Sequence, residues 1–366
     1  MPDDRVPIWL DCDTGHDDAF AILLAALHPD IKLLGISTVY GNAPLKHTTR
    51  NTLAIIRAIG REDVPVYAGA SRPFCRPPAA APDIHGESGL DGTTCLPEPR
   101  VEVRRDVSAV EAIARALKAE AKGTAWLVPT GALTNAAYVF AVYPELAGHV
   151  AGMSLMGGAI GGGFSDAPMG TVSGSGERFG NWTPFAEFNV YVDPESARSL
   201  FSNEVLAAKT TIVPLDLTHQ FLATKGIQQS LLYGSTGSKD RKKPSRVREL
   251  FVEILTFFAK TYADVFGLKA GPPLHDPLAV AAAFMPALFH DNDGERFHIE
   301  VITDGDHGAS EHVREGGSQC GRTVATSVGK GNDGVRIPGS LEQEDMWQMI
   351  DDCLGRAESA EFSREG

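Results

Sequence analysis

The feature that most constrains this chain is a cluster of acids where an apolar segment ends. Val6 to Leu10 is apolar, Asp11-Cys12-Asp13-Thr14-Gly15-His16-Asp17-Asp18 follows, and Asp17 to Leu27 carries the alanines and leucines of a helix. The pattern reads as strand, polar turn, helix. An Asx turn at Asp11 or Asp13 and a helix cap at Asp17 account for one or two of these acids. They do not account for four carboxylates within eight residues, because neighbouring carboxylates at an apolar strand end repel and raise one another's pKa unless a cation neutralises them. A hard divalent ion suits oxygen donors of this kind.

The strand-helix unit repeats. Ile31 to Val39 reads as a second buried strand and Leu45 to Ile59 as a helix. Val107 to Ala121 and Ala132 to Val142 read as helices, and Ala125 to Val128, Ser154 to Met156 and Thr210 to Leu215 as strands. This alternation predicts an α/β fold, a single large domain over residues 1–357 with a mostly parallel central sheet covered by helices. Right-handed crossovers put every strand's C-terminal end on one edge, where such folds bind ligands. Three stretches break the alternation: 71–100, rich in Pro and Gly; 161–180, rich in Gly and Ser; and 234–248, which contains the basic run KDRKKPSR. They are expected to be long loops or lids, the last ordered by substrate. Residues 358–366 are expected to form a disordered tail.

With 33 Lys+Arg against 47 Asp+Glu, the formal charge is −14, which opposes association with nucleic acid or an anionic membrane. Apolar residues at 43% and charged residues at 22% fit a globular protein. The cysteines, Cys12, Cys75, Cys95, Cys320 and Cys353, are scattered and odd in number. That usage argues against a disulfide framework or a zinc site and for a reducing, cytoplasmic setting. No apolar signal core stands at the N-terminus, and the longest apolar run, Ala19 to Leu27, stops at His28-Pro29. Neither export nor a membrane span is expected. Gly161-Gly162-Gly163 and Gly174-Ser175-Gly176 lack the dinucleotide spacing, and Asp291-Asn292-Asp293-Gly294 reads as a turn.

Three acidic patterns can be tested on Asp11 to Asp18. An EF-hand loop would need glycine at His16 and glutamate at Ile22. An aspartate-nucleophile phosphatase would use Asp11 and Asp13 but meets Gly15 where its motif wants Thr or Val. The third pattern fits: Asp11-Cys12-Asp13-Thr14-Gly15-His16-Asp17-Asp18-Ala19 resembles the D-x-D-x-G-x-D-D-A signature of the nucleoside hydrolase family. Further matches follow in order: Val39-Tyr40-Gly41-Asn42, His85-Gly86-x-x-Gly89-Leu90, Val128 to Asn135, Met156-Gly157-Gly158-Ala159, Ala186-Glu187-Phe188-Asn189 with Asp193-Pro194-Glu195, and His275-Asp276-Pro277. They cover most of the chain and resemble the inosine-uridine preferring, uridine nucleosidase-like branch.

The resemblance implies calcium (Ca2+) at the bottom of a pocket, held by Asp13, Asp18, the carbonyl of Thr130, and Asp276, with room left for ribose hydroxyls and a water. It places Asp17, Asn42, Glu187 and Asn189 on ribose oxygens, Asn181 near the 5′-hydroxyl, and Met156 and Asp276 among the substrate-binding residues. The implied reaction hydrolyses an N-glycosidic bond: Asp13 takes the proton of a metal-bound water and His275 gives one to the leaving base. Uridine is the first substrate expected and inosine the second. His85 lies in a Pro/Gly-rich loop and either covers the base or faces solvent, while His16 reads as a surface group at the helix start. Hydrolysis of another ribosyl compound, such as nicotinamide riboside, remains open. So does non-catalytic nucleoside binding, against which the presence of Asp13 and His275 argues. The resemblance implies a homodimer or homotetramer.

Overall fold

The computed structural model describes residues 3–168, 178–234, 243–308, 310 and 312–365. In chain order the first half holds β1 (Val6–Cys12), α1 (Asp18–Leu27), β2 (Ile31–Thr38), α2 (Leu45–Ala58), β3 (Val66–Ala68), α3 (Pro82–His85), α4 (Ala109–Ala119), β4 (Trp126–Pro129), α5 (Thr134–Val142), α6 (Leu146–His149) and β5 (Gly152–Met156). The second half holds α7 (Phe188–Val192), α8 (Pro194–Phe201), α9 (Glu204–Ala207), β6 (Thr210–Val213), α10 (Leu215–Thr218), α11 (Lys225–Tyr233), α12 (Arg246–Phe266), α13 (Asp276–Phe284), β7 (Phe289–His290), β8 (Glu295–Val301), β9 (Thr323–Lys330), β10 (Ser340–Leu341) and α14 (Gln343–Glu365).

The central sheet has six strands in the order β3-β2-β1-β4-β5-β6, every pair parallel. From β1 the chain builds outward through β2 and β3, then returns to lay β4 on β1's other side. The strand order therefore reverses between β1 and β4, and a crevice opens there beyond their C-terminal ends. Asp11 pairs in register with Ser37 of β2 and Pro129 of β4, so Asp13 and Thr130 both emerge at this point. Helices α1 and α13 are apolar on nearly every side and buried accordingly. They pack on each other, and α13 also lies against β5.

Several elements differ from the sequence reading. Short β3 and the antiparallel pairs β8–β9 and β7–β10 were not anticipated. Residues 71–100 contain α3, whose His85 is buried. In 234–248, α12 already begins at Arg246, and Arg248 is buried with its guanidinium 2.6 Å from Asp351 and 3.0 Å from Glu358. Only 235–242 of that expected lid lie outside the described residues, as do 169–177 of the second long loop, including Gly174-Ser175-Gly176. The expected tail is instead helical: α14 continues to Glu365, and the buried ion pair to Glu358 holds it on α12. Asp291 to Gly294 is a turn, with Asn292 and Asp293 at positive φ.

Candidate active site

Four carboxylates meet below the crevice. Asp17 stands at the N-cap of α1 without capping it, which leaves its side chain for the pocket. Asp18 is fixed from three sides: the Gly15 amide and the Asn42 side-chain amide donate to its Oδ2 at 2.9 and 3.1 Å, and the Thr130 hydroxyl donates to Oδ1 at 2.9 Å. Asp276 opens α13 on the far side. Oxygens of Asp17, Asp18 and Asp276 lie within 4.8 Å of one another.

Asp13 does not belong to that trio. Its Oδ2 accepts the Asn42 backbone amide at 2.7 Å, while its Oδ1 is buried with no hydrogen-bond partner among the described residues. A Cβ at Gly131 would stand 2.6 Å from Oδ1, and one at Gly41 would collide with Oδ2, so glycine on both sides is the condition for this carboxylate to fit.

Burial pushes the pKa of all four acids up, in Asp17 to about 8. Mutual repulsion adds to the rise in Asp13, Asp17 and Asp276. Among the described residues, no lysine or arginine lines the pocket. An oxygen-only, all-acidic, buried donor set with an orphaned Oδ1 fits a divalent cation, which would offset the repulsion. Asp11, by contrast, is architectural. Its Oδ1 accepts Ser37 Oγ at 2.5 Å and Asn135 Nδ2 at 2.8 Å, tying β1 to β2 and α5, while burial raises its pKa to about 7.

Ten of the sequence-predicted residues line the crevice: Asp17, Asn42, His85, Thr130, Met156, Asn181, Glu187, Asn189, His275 and Asp276. Asp13 and Asp18 are buried and outside the lining. Glu187 caps α7, accepting from Asn189 N at 2.7 Å and Val190 N at 3.1 Å, and also holds Gly158 N at 2.9 Å. Asn189 Nδ2 donates to the Thr130 carbonyl at 2.9 Å, which occupies one lone pair of the oxygen expected on the metal. Asn181 Oδ1 accepts the Phe188 amide at 2.9 Å. His275 Nε2 lies 2.8 Å from the Tyr262 hydroxyl and its Nδ1 2.7 Å from Thr218 Oγ1. Burial pushes the pKa of this imidazole well down.

His16 is not a surface group. It is fully buried, with Nδ1 3.1 Å from His85 Nδ1 and its ring stacked on Phe257 and Phe258. The sequence reading also missed the aromatic wall of Trp182, Phe188, Phe258, Tyr262 and Phe266. Phe258, Tyr262 and Phe266 recur every four residues along α12, which in a sequence is the mark of a core stripe. The tyrosine among phenylalanines was the available signal, because a buried hydroxyl needs a partner.

A parallel α/β sheet with a buried acidic, oxygen-lined base to its crevice and an aromatic upper wall fits an α/β enzyme whose substrate pairs a polar part with a flat ring. The family model described as inosine-uridine preferring nucleoside hydrolase matches residues 8–348, and the chain belongs to that family. It is 45% identical over 287 residues to the uridine nucleosidase of Saccharomyces cerevisiae, covering 78% of this chain and 76% of the relative. It is 38% identical over 287 residues to a pyrimidine-specific ribonucleoside hydrolase of Shewanella sp. (strain MR-4), covering 78% and 80%. Among solved structures, the purine-preferring ribonucleoside hydrolase of Gardnerella vaginalis superposes with a TM-score of 0.76 at 26% identity, over 96% of this chain and 99% of that one. The protein is an N-ribosyl hydrolase acting on ribonucleosides. No helix among the described residues is long and apolar enough to cross a membrane.

Proposed function

We propose that this chain hydrolyses ribonucleosides, uridine first and inosine second, in a calcium-dependent reaction giving ribose and free base. The observation that carries the metal is the buried carboxylate set of Asp17, Asp18 and Asp276 with the orphaned Asp13 Oδ1 beside it. Uridine is favoured by the similarity to a uridine nucleosidase and a pyrimidine-specific hydrolase. Asp13, Asp18, the Thr130 carbonyl and Asp276 would hold the calcium, which when bound supplies Lewis-acid polarisation of a water.

Asp13 is assigned to take the attacking water's proton, a role its unpartnered Oδ1 leaves it free to fill. Asp17, Asn42, Glu187 and Asn189 face the sugar, and the carboxylates of Asp17 and Glu187 favour the positive charge that develops at C1′ as the bond to the base breaks. His275 is assigned to give the departing base its proton together with Tyr262, 2.8 Å away.

Nicotinamide riboside is the second reading, since the pocket's aromatic wall accepts any flat ring. The experiment is a reducing-sugar assay of purified protein against a nucleoside panel, with calcium and with chelator. Release from uridine above inosine, lost with chelator and restored by calcium, is the expected result. No sugar from any nucleoside in calcium would sink the proposal.

A further inference from the structure

His85 faces the pocket, but the group that decides what it offers there is His16, which lines no part of it. His16 Nε2 lies 2.8 Å from the backbone oxygen of Asp91, and a carbonyl oxygen can only accept. The proton of a neutral His16 therefore sits on Nε2. A second proton is disfavoured, because the ring is fully buried with its faces parallel to Phe257 and Phe258 at centroid distances of 5.2 and 5.3 Å. His16 Nδ1 is then a bare lone pair, and His85 Nδ1, 3.1 Å away, must donate to it. A neutral imidazole carries one N–H, so His85 Nε2 is left as a lone pair.

The start of the relay is itself fixed. The Asp91 amide donates to the His85 carbonyl at 3.3 Å and its side chain accepts the Glu87 amide at 3.0 Å and the Ser88 hydroxyl. Gly86, Gly89 and Gly92 take positive φ in the same turn.

We propose that His16 is a positioning residue that locks His85 in its Nδ1–H tautomer, so that the pocket presents an acceptor to the base. Such a site selects bases with a ring N–H beside a carbonyl, uracil N3–H or hypoxanthine N1–H. It disfavours cytosine and adenine, whose corresponding ring nitrogen carries a lone pair. This rests on the nucleoside-hydrolase reading above and supplies its base selectivity. Two facing lone pairs in a buried pocket cost about 10–100-fold in kcat/KM, the range of an unsatisfied buried polar group.

The test joins a spectroscopic and a kinetic arm. Histidine-selective 15N labelling of the full chain should show His85 protonated at Nδ1 and bare at Nε2, and in His16→Phe a mixture of tautomers. The uridine-to-cytidine ratio of kcat/KM should narrow about 10-fold in His16→Phe. His16→Asn, whose side-chain oxygen can replace the Nδ1 lone pair, should retain both the tautomer and the ratio. An Nε2–H tautomer in the unmodified protein, or an unchanged ratio once His16→Phe has freed the tautomer, overturns the proposal. A chain inactive on every nucleoside would strike the hydrolase reading alone, and the 15N spectra would still decide the tautomer.

Discussion

The Tyr262 hydroxyl lies 2.8 Å from His275 Nε2, and Thr218 Oγ1 holds the other side of the same ring at 2.7 Å. One proton can thus be shared between a phenol and an imidazole at the pocket wall. If His275 protonates the departing base, His275→Ala lowers kcat on uridine by roughly 10²–10⁴, and Tyr262→Phe, which deletes one hydrogen bond, lowers it by about 10-fold. On p-nitrophenyl riboside, whose leaving group needs no proton, both losses shrink towards none. Equal losses on the two substrates would make the pair structural.

The acid cluster predicts a pH-dependent stability. Burial raises Asp17 to about 8 and moves Asp13, Asp18 and Asp276 in the same direction, whereas the unfolded chain releases these protons near pH 4. Between about pH 4 and 8 the metal-free folded state binds more protons than the unfolded one, so its stability falls as pH rises. Calcium needs the carboxylates ionised and must displace those protons at low pH. The Tm gain from calcium should therefore be larger at pH 8 than at pH 5. A gain independent of pH would mean that these carboxylates are not the ligands.

How far the sequence foretold this site depended on how local each signal was. Strand β1, the acidic turn and α1 are contiguous, so period and composition were enough to place them. Residues 128–135 and 275–277 could be placed from motif resemblance, because each motif closes a strand or opens a helix. His16 was misplaced because everything that buries it comes from elsewhere in the chain: His85 from α3, and Phe257 and Phe258 from α12. Strand β8 was legible and went unread, since buried Phe297, Ile299 and Val301 alternate with exposed His298 and Glu300. Tyr262 was concealed by the stripe it shares with Phe258 and Phe266.

Arg248 tests the packing of α14. Its guanidinium is buried and reaches Asp351 at 2.6 Å and Glu358 at 3.0 Å. Removing it takes a buried cation from beside two buried carboxylates, so Arg248→Ala should destabilise by about 3–5 kcal/mol, the cost of breaking a buried pair from one side. Chemical denaturation should show a lower midpoint. A change below about 0.5 kcal/mol, typical of surface sites, would mean that α14 is held by its apolar face alone.

The final prediction concerns charge. In the proposed site Asp13, Asp18 and Asp276 would place three carboxylates around one divalent ion, with Asp17 and Glu187 lining the same pocket and, among the described residues, no lysine or arginine lining it. A 5′-phosphate brought to Asn181 would meet the negative charge of this acidic lining in a low-dielectric site. Uridine 5′-monophosphate should thus be a poorer substrate than uridine, mainly through KM, and the difference should shrink as salt screens the repulsion. Comparable kcat/KM for the two at low salt would show that the 5′ position points out of the acidic pocket.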